Sequence, residues 1–204
     1  MVIQGYPDPG DGLRLHLNEN TGGCSAHVLD AIRRVRPADV STYPSYREAV
    51  TATAAHFDVD PDCVLLTNGL DEGILMAAVG HIARKRVHDA ETIIPLPAFD
   101  PYPNSTAAVG ATGVRVPPGR DFAFPTQAVI DAVTPRTRMI FLNTPNNPTG
   151  QLIAIDDLRR ISRAAPDAVV LIDEAYIEFG GTSFIPDVAQ FPNVLLGRTF
   201  SKAY

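Results

Sequence analysis

Lysine is nearly absent from this chain: its seventeen basic residues include only Lys85 and Lys202, and the rest are arginine. Lys85 sits in the basic cluster Arg84-Lys85-Arg86, which reads as the solvated end of a helix, and arginine keeps its proton inside proteins, so an amine that must lose its proton and attack a carbonyl is Lys202 or the N-terminus. Cysteine is scarce too. Cys24 and Cys63 are too few for a disulfide framework and lack metal-ligand spacing; both read as buried small hydrophobes or plain thiols. No apolar run approaches the roughly 18–20 residues of a membrane-spanning helix. The opening stretch, Met1 to Gly12, has neither the basic end nor the apolar centre of a secretory leader. Walker and dinucleotide fingerprints are missing, as are internal repeats and low-complexity tracts. His16, His27, His56, His81 and His88 show no ligand spacing and read as structural or solvated. These absences predict a cytoplasmic protein without a metal centre or a membrane partner.

What remains is ordinary for a globular chain. Of 204 residues, 45% are hydrophobic and 20% charged, enough for one good core with an appended subdomain. The net charge of −6 argues against nucleic acid as a partner.

Residues 1–24 are rich in Gly, Asp, Asn and Pro and read as an arm or loop. Ser25 is placed to cap a helix running to about Arg36, with Val28, Ile32 and Val35 on one face. Tyr43-Pro44 marks a turn, and Tyr46 to His56 reads as a second helix. Cys63 to Thr67 reads as a short apolar strand. Leu70 to Arg86 is strongly helical, with Ile74, Ala78 and Ile82 stacked at i+4 and Arg84-Lys85-Arg86 as its solvated end. Beyond it, strands are predicted at 92–96, 113–116, 139–142, 168–172 and 194–197, with helices at 126–133 and 155–164. Strands that alternate with helices and are apolar throughout imply a mostly parallel sheet covered on both faces, a three-layer α/β/α sandwich.

Four segments carry chemistry. Asn68-Gly69-Leu70-Asp71-Glu72 joins a predicted strand to a helix; a phosphate can lie on the N–H groups of Gly69, Leu70 and Asp71, or Asn68 or Asp71 can simply cap the helix. Asn143 to Gly150 carries two prolines and a glycine after the strand at 139–142, at the sheet edge where open α/β folds bind ligands. An Asn held there can donate to a phenolate-type oxygen, or the segment is a well-made turn. Asp173 ends an apolar run and by alternation shares a face with Val169 and Leu171. A carboxylate there is costly unless paired, and a protonated pyridine nitrogen is a suitable partner; otherwise the Asp lies just outside the strand, solvated or capping. Tyr176 follows three residues later. Last, Thr199 and Ser201 offer hydroxyls beside Lys202. A lysine for an imine, an acid for a ring nitrogen and a phosphate cradle are the parts of a pyridoxal 5′-phosphate (PLP) site.

These motifs resemble the class I/II aminotransferases of PLP fold type I, and within them the histidinol-phosphate aminotransferase subgroup. The resemblance runs from Leu17-Asn18-Glu19-Asn20 through Tyr43-Pro44, Asn68 to Glu72, Asn143 to Gly150 and Asp173 to Tyr176. It ends in Arg198-Thr199-Phe200-Ser201-Lys202-Ala203, a run specific to that subgroup. It implies that Lys202 forms the imine and moves the substrate proton, and that Asp173 pairs with the pyridine nitrogen. Asn147 and Tyr176 would bond the ring hydroxyl oxygen, and Phe99 would stack on the ring where the family commonly has Tyr. Leu70 and Asp71 would hold the phosphate with Thr199 and Ser201, and Tyr43 would reach the partner's site across a homodimer interface.

The implied substrates are an amino donor, an amino acid or amino-acid phosphate, and a 2-oxo acid. A PLP-dependent decarboxylase of a phosphorylated amino acid shares every motif, and a non-catalytic fragment or a ligand-binding or dimerisation module is the reading from another class. The implied organisation is an arm and first helix over 1–35 and a partial PLP-binding large domain over 36–204. The phosphate-clamping arginine after the lysine and the small C-terminal domain are absent, so the chain reads as a fragment that by itself retains little cofactor and turns nothing over.

Overall fold

A computed structural model describes residues 16–83 and 89–204. The expectations for the arm before residue 16, for Arg84-Lys85-Arg86 and for His88 lie outside those residues. The chain divides into two compact units, one of residues 1–44 with 200–204 and one of residues 45–199.

In the first unit, α1 (Ala26–Arg33) and α2 (Pro37–Ser41) are both exposed. The helix at Ser25 forms but stops three residues before Arg36. Arg36 instead starts α2: Pro37 occupies its first turn, and the Asp39 carboxylate accepts from the Arg36 backbone N–H at 3.0 Å.

The second unit is an α/β/α sandwich. Its order is α3 (Arg47–Phe57), α4 (Gly69–Ala78), β1 (Glu91–Pro95), α5 (Pro101–Ala108), β2 (Thr112–Val116), α6 (Thr126–Asp131), β3 (Thr137–Asn143), α7 (Ile155–Ala164), β4 (Val169–Asp173), α8 (Ile185–Val188) and β5 (Val194–Gly197). The five strands lie in the order β2-β1-β3-β4-β5, and every pairing is parallel. Alternation sends successive side chains to opposite faces. Ile93, Ile140, Leu142, Val170 and Ile172 face a core closed by α6 and α7, whereas Ile94, Met139, Phe141 and Leu171 face a core closed by α4 and α5. Both faces of the central strands β1, β3 and β4 are dry, which is why those strands read as largely apolar runs, whereas the edge strand β2 is mostly exposed.

Helix α7 shows how local sequence meets this sheet. Leu158, Ile161 and Ser162 are buried along one stripe, Asp156 and Asp157 open the first turn, and Arg163 closes the last. Leu158 is fully buried. In the full-length protein Leu158→Ala should therefore cost about 2–5 kcal/mol of stability, read from the urea midpoint.

Several expectations are corrected. Cys63 to Thr67 is not a strand: Pro61–Cys63 is a 3₁₀ turn whose Asp60 side chain accepts from Asp62 N, and Leu65 lies 71% exposed with no neighbouring strand to pair. Cys24 and Cys63 are both exposed rather than buried. The helix from residue 70 changes at Val79 into a π-helical segment, Val79–Ala83, though Ile74, Ala78 and Ile82 are buried as their spacing predicts. Helices α2, α5 and α8 went unpredicted; each carries Pro in its first turn and is eight residues or shorter, too short to show a period. Among the described residues no helix is long and apolar enough to cross a membrane.

Strands β1 and β2 follow each other to one side of the sheet, and β3 returns to the other side of β1. Such a reversal leaves a crevice outside the carboxyl ends of β1 and β3, where α/β folds bind their ligands. A groove opens there, its walls including Pro97, Tyr102, Asn143 and Asn146.

Candidate active site

The carboxyl ends of three adjacent strands stand level: Asn143 of β3 is in register with Asp173 of β4, and Asp173 with Gly197 of β5. Alternation puts the Asp173 side chain on the Val169 and Leu171 face, as predicted. Asp173 is 2% exposed. Its Oδ2 accepts from the Tyr102 hydroxyl at 2.6 Å and its Oδ1 from Ala175 N at 2.9 Å. Both donors are neutral, and among the described residues no Arg or Lys forms an ion pair with this carboxylate. Burial pushes the Asp173 carboxyl above the usual aspartate range, the two hydrogen bonds oppose it, and the nearby Asp71 charge adds to it. The Tyr102 phenol is pushed well up, by burial first and then by Asp173, and so keeps its proton.

Because its carboxyl is raised, the folded apoprotein holds a proton at Asp173 more tightly than the unfolded chain does. The stability this group contributes is therefore greatest in acid and is lost as pH rises from the ordinary aspartate range through the folded value. Asp173→Asn removes that titration. Full-length apoprotein carrying it should melt higher than wild type at about pH 7, with the gap closing by about pH 4. Thermal melts at the two pH values check this, and a variant that melts lower at neutral pH would contradict it.

The loop after β3 is tied to the same corner. Asn143 Nδ2 donates to the Asp173 carbonyl at 3.2 Å, and Asn143 Oδ1 accepts from Asn147 N at 2.6 Å. Asn146 bridges to the loop after β1, donating to the Pro97 carbonyl at 3.2 Å, while its Oδ1 accepts from the Thr149 hydroxyl at 2.8 Å. Asn147 is thereby fixed one strand away from Asp173, as the sequence reading required. Phe99 lies half-buried after β1, edge-on to Tyr102 with ring centroids 5.9 Å apart. Tyr176 is half-buried at the start of the 3₁₀ turn Ile177–Phe179, three residues past Asp173.

Helix α4 brings its first turn to the end of β5. A Cβ built on Gly197 would lie 2.5 Å from Leu70 Cδ1, so the absence of a side chain there is what lets Leu70 settle on the strand. Gly69 has φ +71°, a left-handed conformation that suits glycine. Its N–H is taken by the Thr67 carbonyl at 2.9 Å, so of the three residues considered for a phosphate it contributes shape rather than a donor. The N–H groups of Leu70 and Asp71, in the first turn, have no acceptor within the helix. Neither Asn68 nor Asp71 caps the helix; Glu72 reaches back to accept from Asn68 N at 2.5 Å.

Next to Asp173 lies a second buried acid that sequence reading missed. Glu174 is fully buried and accepts from Phe184 N at 2.6 Å, Ser183 Oγ at 2.7 Å and Arg198 Nη1 at 3.2 Å. Burial raises its carboxyl and these donors pull it back. Arg198 also pairs with Glu178 and lies over the Phe57 ring, 4.6 Å from its centroid. This cluster binds the turn after β4 to the end of β5, directly ahead of Thr199, which is half-buried. In the unit formed by residues 1–44 and 200–204, Lys202 Nζ donates to the Leu17 carbonyl at 3.1 Å, Ser201 is exposed and Tyr43 is fully exposed.

Tyr102 and Asn143 also escaped the sequence reading. Asn143 carried the signal that flagged Asp173, a polar residue closing an apolar strand, while Tyr102 sat between two prolines with no period around it.

Among the described residues, the buried Asp173 carboxylate is suited to a cation and the N–H groups of Leu70 and Asp71 to an anion. A protonated pyridine ring bearing a phosphate supplies both, so the residues present fit PLP.

Known proteins point the same way. Histidinol-phosphate aminotransferase 2 of Nitrosospira multiformis is 39% identical over 94% of this chain and 49% of its own length. Histidinol-phosphate aminotransferase of Methanococcoides burtonii is 36% identical over 100% of this chain and 56% of its own. The chain thus spans about half the length of the curated relatives it matches. Among solved structures, histidinol-phosphate aminotransferase from Sinorhizobium meliloti in complex with pyridoxal-5′-phosphate superposes with a TM-score of 0.78 at 25% identity, over 92% of this chain and 51% of that one. Residues 10–204 match the family described as aminotransferase class I and II, and with the parallel sheet, the strand-end carboxylate and these relatives the chain belongs to that family, in its fold type I branch.

Proposed function

We propose that the protein is a PLP-dependent aminotransferase that moves an amino group between an amino acid or amino-acid phosphate of the histidinol-phosphate type and a 2-oxo acid. The observation that carries this reading is Asp173, a carboxylate buried at a strand end with only neutral donors on it. Bound there, the cofactor supplies a pyridinium ring that draws electrons from the carbon losing its proton. Asp173 holds the proton on the ring nitrogen by opposite charge in a dry site. Asn147 and Tyr176 bond the ring hydroxyl oxygen and fix the ring's rotation, while Phe99 covers one ring face and excludes water. Leu70 and Asp71 N–H groups, with the Thr199 and Ser201 hydroxyls, take the phosphate. Lys202 supplies the amine that tethers the cofactor, and its Nζ carries the proton to and from the substrate α-carbon.

The substrate class is supported by the relatives named histidinol-phosphate aminotransferase. Full-length protein incubated with PLP, histidinol phosphate and a 2-oxo acid should yield the amino acid of that oxo acid without carbon dioxide. Released carbon dioxide and no amine transfer would instead make the protein a decarboxylase.

The working form on this reading is a homodimer in which Tyr43 reaches the neighbouring site. Two features support it: Tyr43 is fully exposed, and the apolar face of α1 leaves Val28 and Ile32 at 46% and 62% exposure, with Val35 just beyond the helix at 53%. A full-length holoenzyme that sediments as a monomer while fully active would refute the dimer.

A further inference from the structure

Tyr102 is locked in place by contacts on every part of the residue. Its ring stacks on Phe141 at 4.8 Å and 16°, its edge meets Phe99, and it is 2% exposed. Its carbonyl accepts from the Thr106 hydroxyl at 2.8 Å, and that hydroxyl in turn lies 2.8 Å from the hydroxyl of Thr92 on β1. The phenol hydroxyl is thus held at one point, where it meets Asp173 Oδ2 from 71 residues away along the chain. With Ala175 N on the other oxygen, the plane of the carboxylate is set before any ligand arrives. Each carboxylate oxygen accepts more than one hydrogen bond, so both donors leave room for a third.

We propose that Tyr102 is a positioning residue, whose hydroxyl orients the Asp173 carboxylate and keeps it charged to receive the protonated ring nitrogen of the cofactor. A neutral donor suits this task better than a cation. An arginine or lysine on Oδ2 would neutralise Asp173 and remove its pull on the ring proton, whereas the phenol, held protonated by burial, stabilises the carboxylate and leaves its charge unspent. The inference rests on the reading that Asp173 meets the ring nitrogen.

The experiment measures binding to the full-length apoenzyme of two probes, PLP and 1-deazapyridoxal phosphate, whose ring has carbon in place of that nitrogen. Tyr102→Phe keeps the stacking on Phe141 and removes only the hydroxyl. It should weaken PLP about tenfold, the scale of a lost hydrogen bond to a charged group, and leave the deaza analogue unchanged. Equal weakening of both probes would mean that Tyr102 only supports the fold; no weakening of either would mean that the hydroxyl does nothing for the site. Either result overturns the proposal.

Asp173→Asn, measured in parallel, separates the two levels of the argument. If it too lowers PLP affinity and spares the analogue, the ring-nitrogen reading stands and Tyr102→Phe alone decides. If it does not discriminate, that reading fails and the role of Tyr102 fails with it. Should Tyr102→Phe not fold, 3-fluorotyrosine placed at position 102 gives a more acidic phenol and a stronger donor. It should raise the ratio of PLP to analogue affinity, and a ratio that is unchanged or lower would overturn the proposal as well.

Discussion

Lys202→Ala in the full-length protein is expected to abolish both the absorbance of the lysine–cofactor imine and transamination, while Lys85→Ala leaves both intact. The chain has two lysines, and arginine cannot take over because it does not lose its proton. On the proposed reading, loss of Lys202 would remove both the cofactor's covalent tether and the proton carrier for the substrate carbon, a combined loss of about four orders of magnitude or more in rate. Borohydride reduction of the wild-type holoenzyme followed by peptide mapping locates the tether directly. The pyridoxyl label belongs on the peptide containing Lys202; a label on Lys85, or none at all, would show the assignment to be wrong. The structure adds one detail to this expectation. Lys202 Nζ donates to the Leu17 carbonyl, next to Asn18-Glu19-Asn20, the first motif of the family resemblance.

The second large effect is at Asp173. On the proposed reading, Asp173→Ala should leave some PLP bound, because the proposed phosphate contacts and lysine tether would not depend on the acid, but it should lower turnover by about two to three orders of magnitude. The missing carboxylate lets the ring nitrogen lose its proton, and the ring then draws electrons poorly. Measured kcat should fall far more than PLP affinity. If kcat fell only in proportion to lost cofactor, with activity restored by excess PLP, Asp173 would be a binding contact and no more. The Asp173→Asn melting experiment bears on the same property from the other side: the buried charge proposed to serve the reaction is a cost to the apo fold. A protein that gains stability and loses turnover on the same substitution would show that the acid is kept for function.

The Glu174, Arg198 and Glu178 cluster explains why a site with an uncompensated acid holds its shape. Arg198 lies between its two acids, Glu174 also accepts from Ser183 Oγ and Phe184 N, and the cluster binds the end of β4 to the end of β5. Asp173 and Glu174 are consecutive and both buried, yet only Glu174 has a cation on it. One carboxylate is neutralised to build the corner, and its neighbour is left for a ligand.

The sequence by itself determined the sheet. The central strands β1, β3 and β4 are buried on both faces and read as largely apolar runs, while the edge strand β2 is mostly exposed, and alternation by itself assigned Asp173 to the Leu171 face. It also determined which side chains have the chemistry, since two lysines, one acid at a strand end and one rigid Asn-Asn-Pro-Thr-Gly loop leave few choices. Residues 63–67 were misread because an apolar run looks the same whether or not a strand lies beside it, and the pairing partner is a tertiary fact. The strand order, which places Asn143, Asp173 and Gly197 level, was decided by the tertiary structure alone. So were Tyr102 as the donor to Asp173 and the seat for Leu70 on Gly197. Each depends on residues 24 to 127 positions apart in the chain, and local propensity and periodicity carry no information at that range.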